Sequence, residues 1–319
     1  MSAFIARRLL GAIPLLLLVS LISYALMGLA PGGPAAIIGQ QAHGMTPAAR
    51  AHFIALLGLN RPWYVQYFYW LGALVLHGSL GNSYVDGRPV IEKILEKLPI
   101  TLELVGSALV VTLAIAIPLG VAAATWRGSW FDSLLNVVAF VAYGIPVFWL
   151  GIVLIDLFAM HLRWFPIAGA NSFGGGGGFS DRADHLVLPV ASLVIVSFAS
   201  WMRYQRAAMI ETLGQPYVRT ARAKGLSERL VLFRHALRNA LIPILTLVGL
   251  SLPSLVGGAY FVEYVFSLPG MGYLGLNSVF SRDYPTVMAI TLFSAVLVIV
   301  GNLLADVAYA LADPRIRYD

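Results

Sequence analysis

Residues 217–240 read YVRTARAKGLSERLVLFRHALRNA, six Arg or Lys against a single acid, Glu228, in a chain of 319 residues that is 59% hydrophobic and only 11% charged. Gly214 and Pro216 mark a stop and a fresh start just ahead of it, so Tyr217–Lys224 predicts one short helix that ends at Gly225. Ser227 is placed to cap a second helix, with Glu228 in its favourable first turn. On that helix Leu230, Phe233 and Leu237 form an apolar stripe beside Arg234, His235 and Arg238, while Ala221, Ala223 and Gly225 leave the first helix approachable. A basic loop alone is explained by membrane orientation near anionic lipid. Two short helices with small residues and a greasy stripe exceed that need and predict a docking surface.

On either side of this stretch the chain is greasy enough for lipid. Its mean hydropathy is +0.81, and the apolar residues come in blocks instead of short periodic stripes. Six charge-free stretches stand out: Leu9–Ala30, Leu104–Trp126, Ser133–Ile155, Leu186–Met202, Asn239–Val262 and Tyr284–Ala305. Each runs roughly 17 to 24 residues, which matches a hydrocarbon layer about 30 Å thick. The expected fold is an all-α integral membrane protein with six transmembrane helices. The first apolar run, longer than a signal-peptide core, reads as a retained anchor. Arg7, Arg8, Arg127, Arg203 and Arg206, with the 217–240 basics, Arg315 and Arg317, fall on one side and predict that both termini are cytoplasmic.

The chain then divides into 1–30, a cytoplasmic tip and first span; 31–97, an extracytoplasmic segment; 98–311, the five-helix body; and a cytoplasmic tail, 312–319. In the outer segment RPWYVQYFYWLGALVLHG (61–78) is crowded with rings suited to headgroup depth and is expected to lie along the membrane surface. IEKILEKL (91–98) predicts a short amphipathic helix, with Ile91, Ile94, Leu95 and Leu98 on one face, Glu92, Lys93, Glu96 and Lys97 on the other, and Pro99 as its end. NSFGGGGGFSD (171–181) predicts a mobile outer loop. Prolines within the spans, Pro146 among them, allow kinked helices around a pathway or ordinary membrane packing.

A search for catalytic chemistry finds little. The sequence has no Gly-Lys dipeptide and so no P-loop, its six histidines lack metal-ligand spacing, and the absence of cysteine excludes disulfides and thiol chemistry. No serine, histidine and acid grouping is legible in the membrane body. Glu103, Asp132, Asp156 and Glu263 lie near predicted span ends and read as solvated interface groups, whereas Asp306 lies deeper, one turn from Asn302. An enzyme is therefore not expected.

The same residues resemble a known family. YVRTARAKGLS followed by HALRNALIP looks like the EAA loop of ABC-importer permeases in its dipeptide, oligopeptide and nickel branch, closest to the dipeptide permease B-type subunit. Against the general pattern Ala221, Gly225 and Leu237 match, while Arg219, His235 and Arg238 replace a glutamate, an isoleucine and a proline. GLNRPWYVQYFYWL, EYVFSLPGMG, RDYPTVMA and NLLADVAYALADPRIR extend the resemblance over nearly the whole chain. It departs at PGGP (31–34) and GSLG (78–81), where Gly33 and Ser79 stand in place of aspartates.

The resemblance implies a type I ABC transmembrane domain with a cytoplasmic coupling loop between helices 4 and 5, in the inner membrane of a bacterial or archaeal cell. It implies a second, related permease subunit, two ATPase subunits that use ATP and Mg, and an extracytoplasmic substrate-binding protein; this chain binds no cofactor or metal, and nucleic acid has no part. The coupling residues are expected at Arg219, Ala221, Ala223, Gly225, Glu228, Arg234, His235 and Leu237. The family's outer turn falls on Glu263, Phe266, Pro269, Gly270 and Gly272, a candidate gate. The expected cargo is a di- or oligopeptide; nickel or glutathione is the alternative within the family, and a gradient-driven secondary transporter or a membrane scaffold lies outside it.

Overall fold

The computed structural model describes residues 2–29, 46–56, 58–172 and 178–312, and within these ranges the regular structure is helical apart from one isolated bridge, Asn82–Pro89. The Gly-rich run at 174–177 and the tail from 313 lie outside the described residues, as does the side chain of Asp306. The elements are α1 (Ser2–Leu29), α2 (Pro47–Leu56), α3 (Trp63–His77), α4 (Val90–Thr125), α5 (Trp130–Gly144) and α6 (Val147–His161), whose last two turns are π-helical; then α7 (Phe179–Leu213) and α8 (Pro216–Ala223). The helical turns Glu228–Leu230, Val231–Leu237 and Arg238–Ala240 run on as α9, with a π-helical middle, followed by α10 (Ile242–Val265), α11 (Met271–Phe280) and α12 (Tyr284–Ala312). Among the described residues five runs are long and apolar enough to cross a membrane: Arg7–Leu29, Val90–Thr125, Phe179–Leu213, Tyr284–Leu303 and Glu228–Gly249, the last joining α9 to the start of α10 and only overlapping the expected Asn239–Val262.

The third expected span is broken. α5 and α6 meet at a bend of 99° where Ser133–Ile155 reads as one helix. Ile145 is extended (φ −87°, ψ 124°) because the ring of Pro146 disfavours the helical region for the residue before it, and Pro146, extended in turn, stands as the N-cap of α6.

Pro99, by contrast, ends nothing: α4 runs through it from Val90 to Thr125. A proline in a helix interior costs about 3 kcal/mol. Val90, Ile94 and Leu104 are all fully buried, each worth about 1.5–3 kcal/mol, so burial outweighs the break. The amphipathic reading of 91–98 also fails in detail. Ile91 and Leu95 are exposed, whereas Lys93 is buried.

Contacts divide the chain into two compact units, 1–99 with 270–299 and 100–269 with 300–319. In the first, Tyr67 of α3 is buried on α1, its hydroxyl 3.0 Å from that of Ser20, and Tyr24 donates to Gln66 (3.3 Å). So α3 is a packed helix, with only part of its aromatic face left bare. Asp283 is buried and accepts from Ser83 Oγ (2.5 Å), the Tyr84 amide (2.9 Å) and Thr286 Oγ1 (2.6 Å). Lys93 Nζ stands 3.0 Å from Asp86 and 3.7 Å from Asp283, which explains its burial: a charge leaves water only when paired.

In the second unit α7 packs against α5, α6 and α10. Small residues let α4 approach α7 closely, Ala116 and Ala123 being fully buried. A Cβ added at Gly120 would lie 2.8 Å from that of Gln205. A second core gathers Leu104, Leu150, Leu188, Phe266 and Leu268.

Candidate functional site

The basic stretch forms a helical hairpin. Pro216 opens α8, its fixed φ suited to a first helical position. The end of α8 is a Schellman motif: Leu226 N–H donates to Ala221 C=O (3.4 Å) and Gly225 N–H to Arg222 C=O (2.9 Å), with Gly225 at φ +77°. The helix thus stops at the residue the sequence marks.

Three side chains hold the hairpin closed. Val218, Ala221 and Val231 pack together, all buried, with Leu213 against them. Asn239 Nδ2 donates to Tyr217 Oη at 2.7 Å, joining the end of α9 to the start of α8. Across the turn Arg222 grips Glu228 with two bonds, Nη2 to Oε1 at 2.6 Å and Nε to Oε2 at 3.1 Å. The guanidinium beside Glu228 holds its carboxyl below the usual range, and the carboxylate in turn raises Arg222. Ser227 has the extended backbone of a cap but makes no side-chain cap bond.

Most of what remains faces outward. Arg219, Ala223, Lys224, Gly225, Arg229, Arg234 and Arg238 are exposed, and Phe233 keeps 64% of its surface open. Ala221 does not join them; it is part of the brace. The expected stripe of Leu230, Phe233 and Leu237 is likewise corrected, because α9 buries Val231, Ala236 and Ala240 instead, the last two against Ala124 and Met209. Leu230 and Phe233 are left bare, and His235 and Leu237 are half-buried. The result is a braced, cationic surface with an apolar spot.

The turn after α10 is built the opposite way. Glu263 is fully buried and accepts from Thr101 Oγ1 at 2.6 Å, and Phe266 and Leu268 are buried beside it. Leu268 N–H donates to Glu263 C=O at 2.8 Å across Ser267, whose φ is +51°. The Phe266 ring lies so close to Gly151 that a Cβ there would stand 3.1 Å from it, and Phe266 C=O accepts from Gly169 N–H at 2.9 Å. Pro269 is half-buried, Gly270 caps α11 in extended conformation and Gly272 is buried in its first turn. The expectation of a solvated Glu263 is thus overturned.

Asp132 overturns the same expectation. It is buried and gripped by Arg206 (2.6 and 2.7 Å), with Gly128 N–H (2.9 Å) and Asn136 Nδ2 (2.9 Å) completing its shell. Glu103 pairs with Arg182, and Asp156 stays exposed near His161. A serine, acid and histidine also come together, unseen in the sequence. Ser172 Oγ donates to Asp181 (2.5 Å) and lies 3.3 Å from His185 Nε2, while His185 Nδ1 faces the carbonyl of Gly169. The serine proton points at the acid and not at the imidazole, the reverse of an activated nucleophile. Among the described residues no three His, Asp or Glu side chains are grouped to hold a metal.

Comparison with known proteins now bears on this geometry. The family described as "Binding-protein-dependent transport system inner membrane component" matches residues 116–318, and its N-terminal companion matches residues 1–105. The chain is 44% identical to the oligopeptide transport system permease protein AppB of Bacillus subtilis over all of both chains. It is 37% identical to the dipeptide transport system permease protein DppB of Escherichia coli, covering all of this chain and 99% of that one. Among solved structures, a chain of the inward-facing MetNI methionine ABC transporter superposes with a TM-score of 0.53 at 18% identity, over 70% of this chain and 97% of that one.

Proposed function

The chain belongs to the family of binding-protein-dependent transport system inner membrane components, and on that premise we propose that it forms half of the pathway of an ATP-driven importer for di- or oligopeptides. Its full-length similarity to an oligopeptide and a dipeptide permease supports the substrate class. The observation that carries the mechanism is the hairpin: a surface that braces itself internally and leaves Arg219, Ala223, Arg234 and Phe233 outside is built to be pressed by another protein. We assign Arg219, Ala223, Gly225, Arg234, His235 and Leu237 to the contact with an ATPase subunit, with Ala221 and Glu228 holding its shape. Closure of two ATPases on ATP then pushes on α8 and α9, and α7, packed against both, carries the movement into the body.

In this reading residues 31–97 are extracytoplasmic, 98–311 are the transporter body, both termini and the tail 312–319 are cytoplasmic, and the partners are a related permease, two ATPases and a substrate-binding protein. Glu263, Phe266, Pro269, Gly270 and Gly272 are assigned to the outer end of the pathway. A single cysteine at Ala223, in a chain that has none, tests the assignment. It is expected to crosslink to a copurifying ATPase in intact cells and to resist impermeant thiol reagents, whereas a cysteine at Phe179, 90% exposed, is labelled from outside. Labelling of both positions from one side, or no ATPase crosslink, refutes it.

A further inference from the structure

The unit formed by 1–99 and 270–299 contains a cleft of about 430 Å³ that the transport mechanism leaves unused. Its walls come from Tyr24 of α1, Arg61 ahead of α3, Tyr69 and Trp70 of α3, Tyr84, and Tyr284 at the start of α12. That size falls in the range of roughly 300–1,000 Å³ found for small-ligand sites, and the lining is aromatic with a few polar groups, as such sites require.

The polar groups are all of one kind. Arg61 sets its guanidinium carbon 4.6 Å from the centre of the Tyr69 ring, and no carboxylate is among the described residues lining the cleft. Gln66 is spent on structure, donating to the Arg61 carbonyl at 2.7 Å and accepting from Tyr24. Trp70 has a buried indole N–H without a hydrogen-bond partner. Burial and the nearby Asp283 carboxylate push the Tyr84 phenol up to about 12, so it stays a donor. One cation and several donors, with no acid in the lining and the Asp283 carboxylate behind it paired with Lys93, select an anion.

The surroundings select which anion. Tyr24 and Met288, both on the wall, belong to the spans Arg7–Leu29 and Tyr284–Leu303, so the cleft lies at the membrane boundary. Beside it α3 leaves Tyr64, Phe68 and Leu76 exposed, a surface suited to headgroup and upper acyl depth. A peptide carboxylate meets the same cation but leaves that face bare; acyl chains cover it. An ammonium headgroup meets Arg61 with like charge.

We propose that the cleft binds the headgroup of an anionic phospholipid, with the phosphate on Arg61, the glycerol against Tyr24, Tyr84 and Tyr284, and the acyl chains along the exposed face of α3. Binding is read without ATP or partner subunits, so the outcome is separate from the transport reading. The full chain in nonionic detergent is titrated with dioleoyl-phosphatidylglycerol and bound lipid is counted by native mass spectrometry. Phosphatidylcholine, inorganic phosphate and trialanine form the other arms. Phosphatidylglycerol is expected to be retained over phosphatidylcholine, and Arg61→Gln to weaken it about tenfold, the loss of one charged hydrogen-bonding partner. Arg88→Gln, exposed in the same segment and paired with Glu96, leaves retention unchanged. Should Arg61→Gln not fold, Tyr84→Phe, which removes one hydroxyl, is expected to weaken retention a few-fold. Equal retention of both lipids, or retention indifferent to these variants, overturns the proposal. Displacement of the lipid by inorganic phosphate makes it a soluble-anion site and displacement by trialanine a peptide site, and either result overturns the lipid assignment.

Discussion

The basic hairpin and the turn after α10 handle charge in opposite ways. In the hairpin, Arg222 and Glu228 meet in the open and the apolar brace is three small side chains, Val218, Ala221 and Val231. In the turn, Glu263 is sealed among Phe266 and Leu268 with Thr101 on its carboxylate. A surface pair is weak because water competes for both partners, so the hairpin presents charge at little structural stake. A buried carboxylate is held by its neighbours and fails with them. The first arrangement keeps groups available to a partner; the second fixes backbone.

Breaking the turn should therefore cost most. Glu263→Ala removes a buried side chain and an acceptor from Thr101, and is expected to destabilise the protein by about 2–4 kcal/mol. Thermal unfolding in detergent reads this directly, with Glu263→Gln, which keeps volume and an acceptor, losing less. An alanine variant as stable as the wild type would erase the contrast between the two regions.

Breaking the hairpin's surface should instead leave stability intact. Phe233→Ala is expected to change unfolding by less than about 0.5 kcal/mol, as for exposed positions generally, yet to weaken ATPase binding by about 2 kcal/mol, roughly 30-fold, as for an aromatic interface anchor. Copurification and a binding titration measure the second quantity. Binding equal to wild type would show that Phe233 faces lipid or water in the assembled transporter.

Gly225→Ala sharpens the comparison from within. At φ +77° a Cβ is strained although the space around Gly225 is open, so a loss of about 1–2 kcal/mol is expected. Asn, which tolerates this conformation, recovers part of it. A smaller loss at Ala than at Asn would remove the Schellman turn from the account.

Much of this architecture is legible in the sequence because lipid imposes a simple rule. A span must be long and uncharged, so four of the six runs, Leu9–Ala30, Leu104–Trp126, Leu186–Met202 and Tyr284–Ala305, appear with no knowledge of neighbours, whereas the apolar run at Glu228–Gly249 only overlaps the expected Asn239–Val262. The stop at Gly225 is equally local, since a left-handed position names its own residue. What the sequence conceals is pairing across distance. Asp132 finds Arg206, and Lys93 finds Asp283, over separations no pattern spans, so Asp132 looks like a solvated group near a span end and Lys93 like the polar face of an amphipathic helix. The apolar stripe of α9 misleads for a related reason. Its π-helical turn rotates the face, burying Val231 and Ala236 in place of Leu230 and Phe233. Pro146 breaks a helix and Pro99 does not; the difference lies in the packing around α4, which composition does not carry.

The smallest expected effect concerns the exposed ion pair itself. Glu228 has its carboxyl held below the ordinary value by Arg222, so its contribution is complete above the unfolded-state value, about 4.3, and disappears as pH falls through the lower folded one. Between pH 5 and 8 the stability difference between wild type and Glu228→Gln is therefore expected to be flat, and only a few tenths of a kcal/mol for so exposed a pair. It should shrink below about pH 4 and with added salt, because protonation removes, and salt screens, the charge that the substitution removes. A difference that grows on acidification would mean that the carboxyl is stabilised in its neutral form. The brace would then rest on Val218, Ala221 and Val231 alone, and the hairpin would resemble the buried turn more than its opposite.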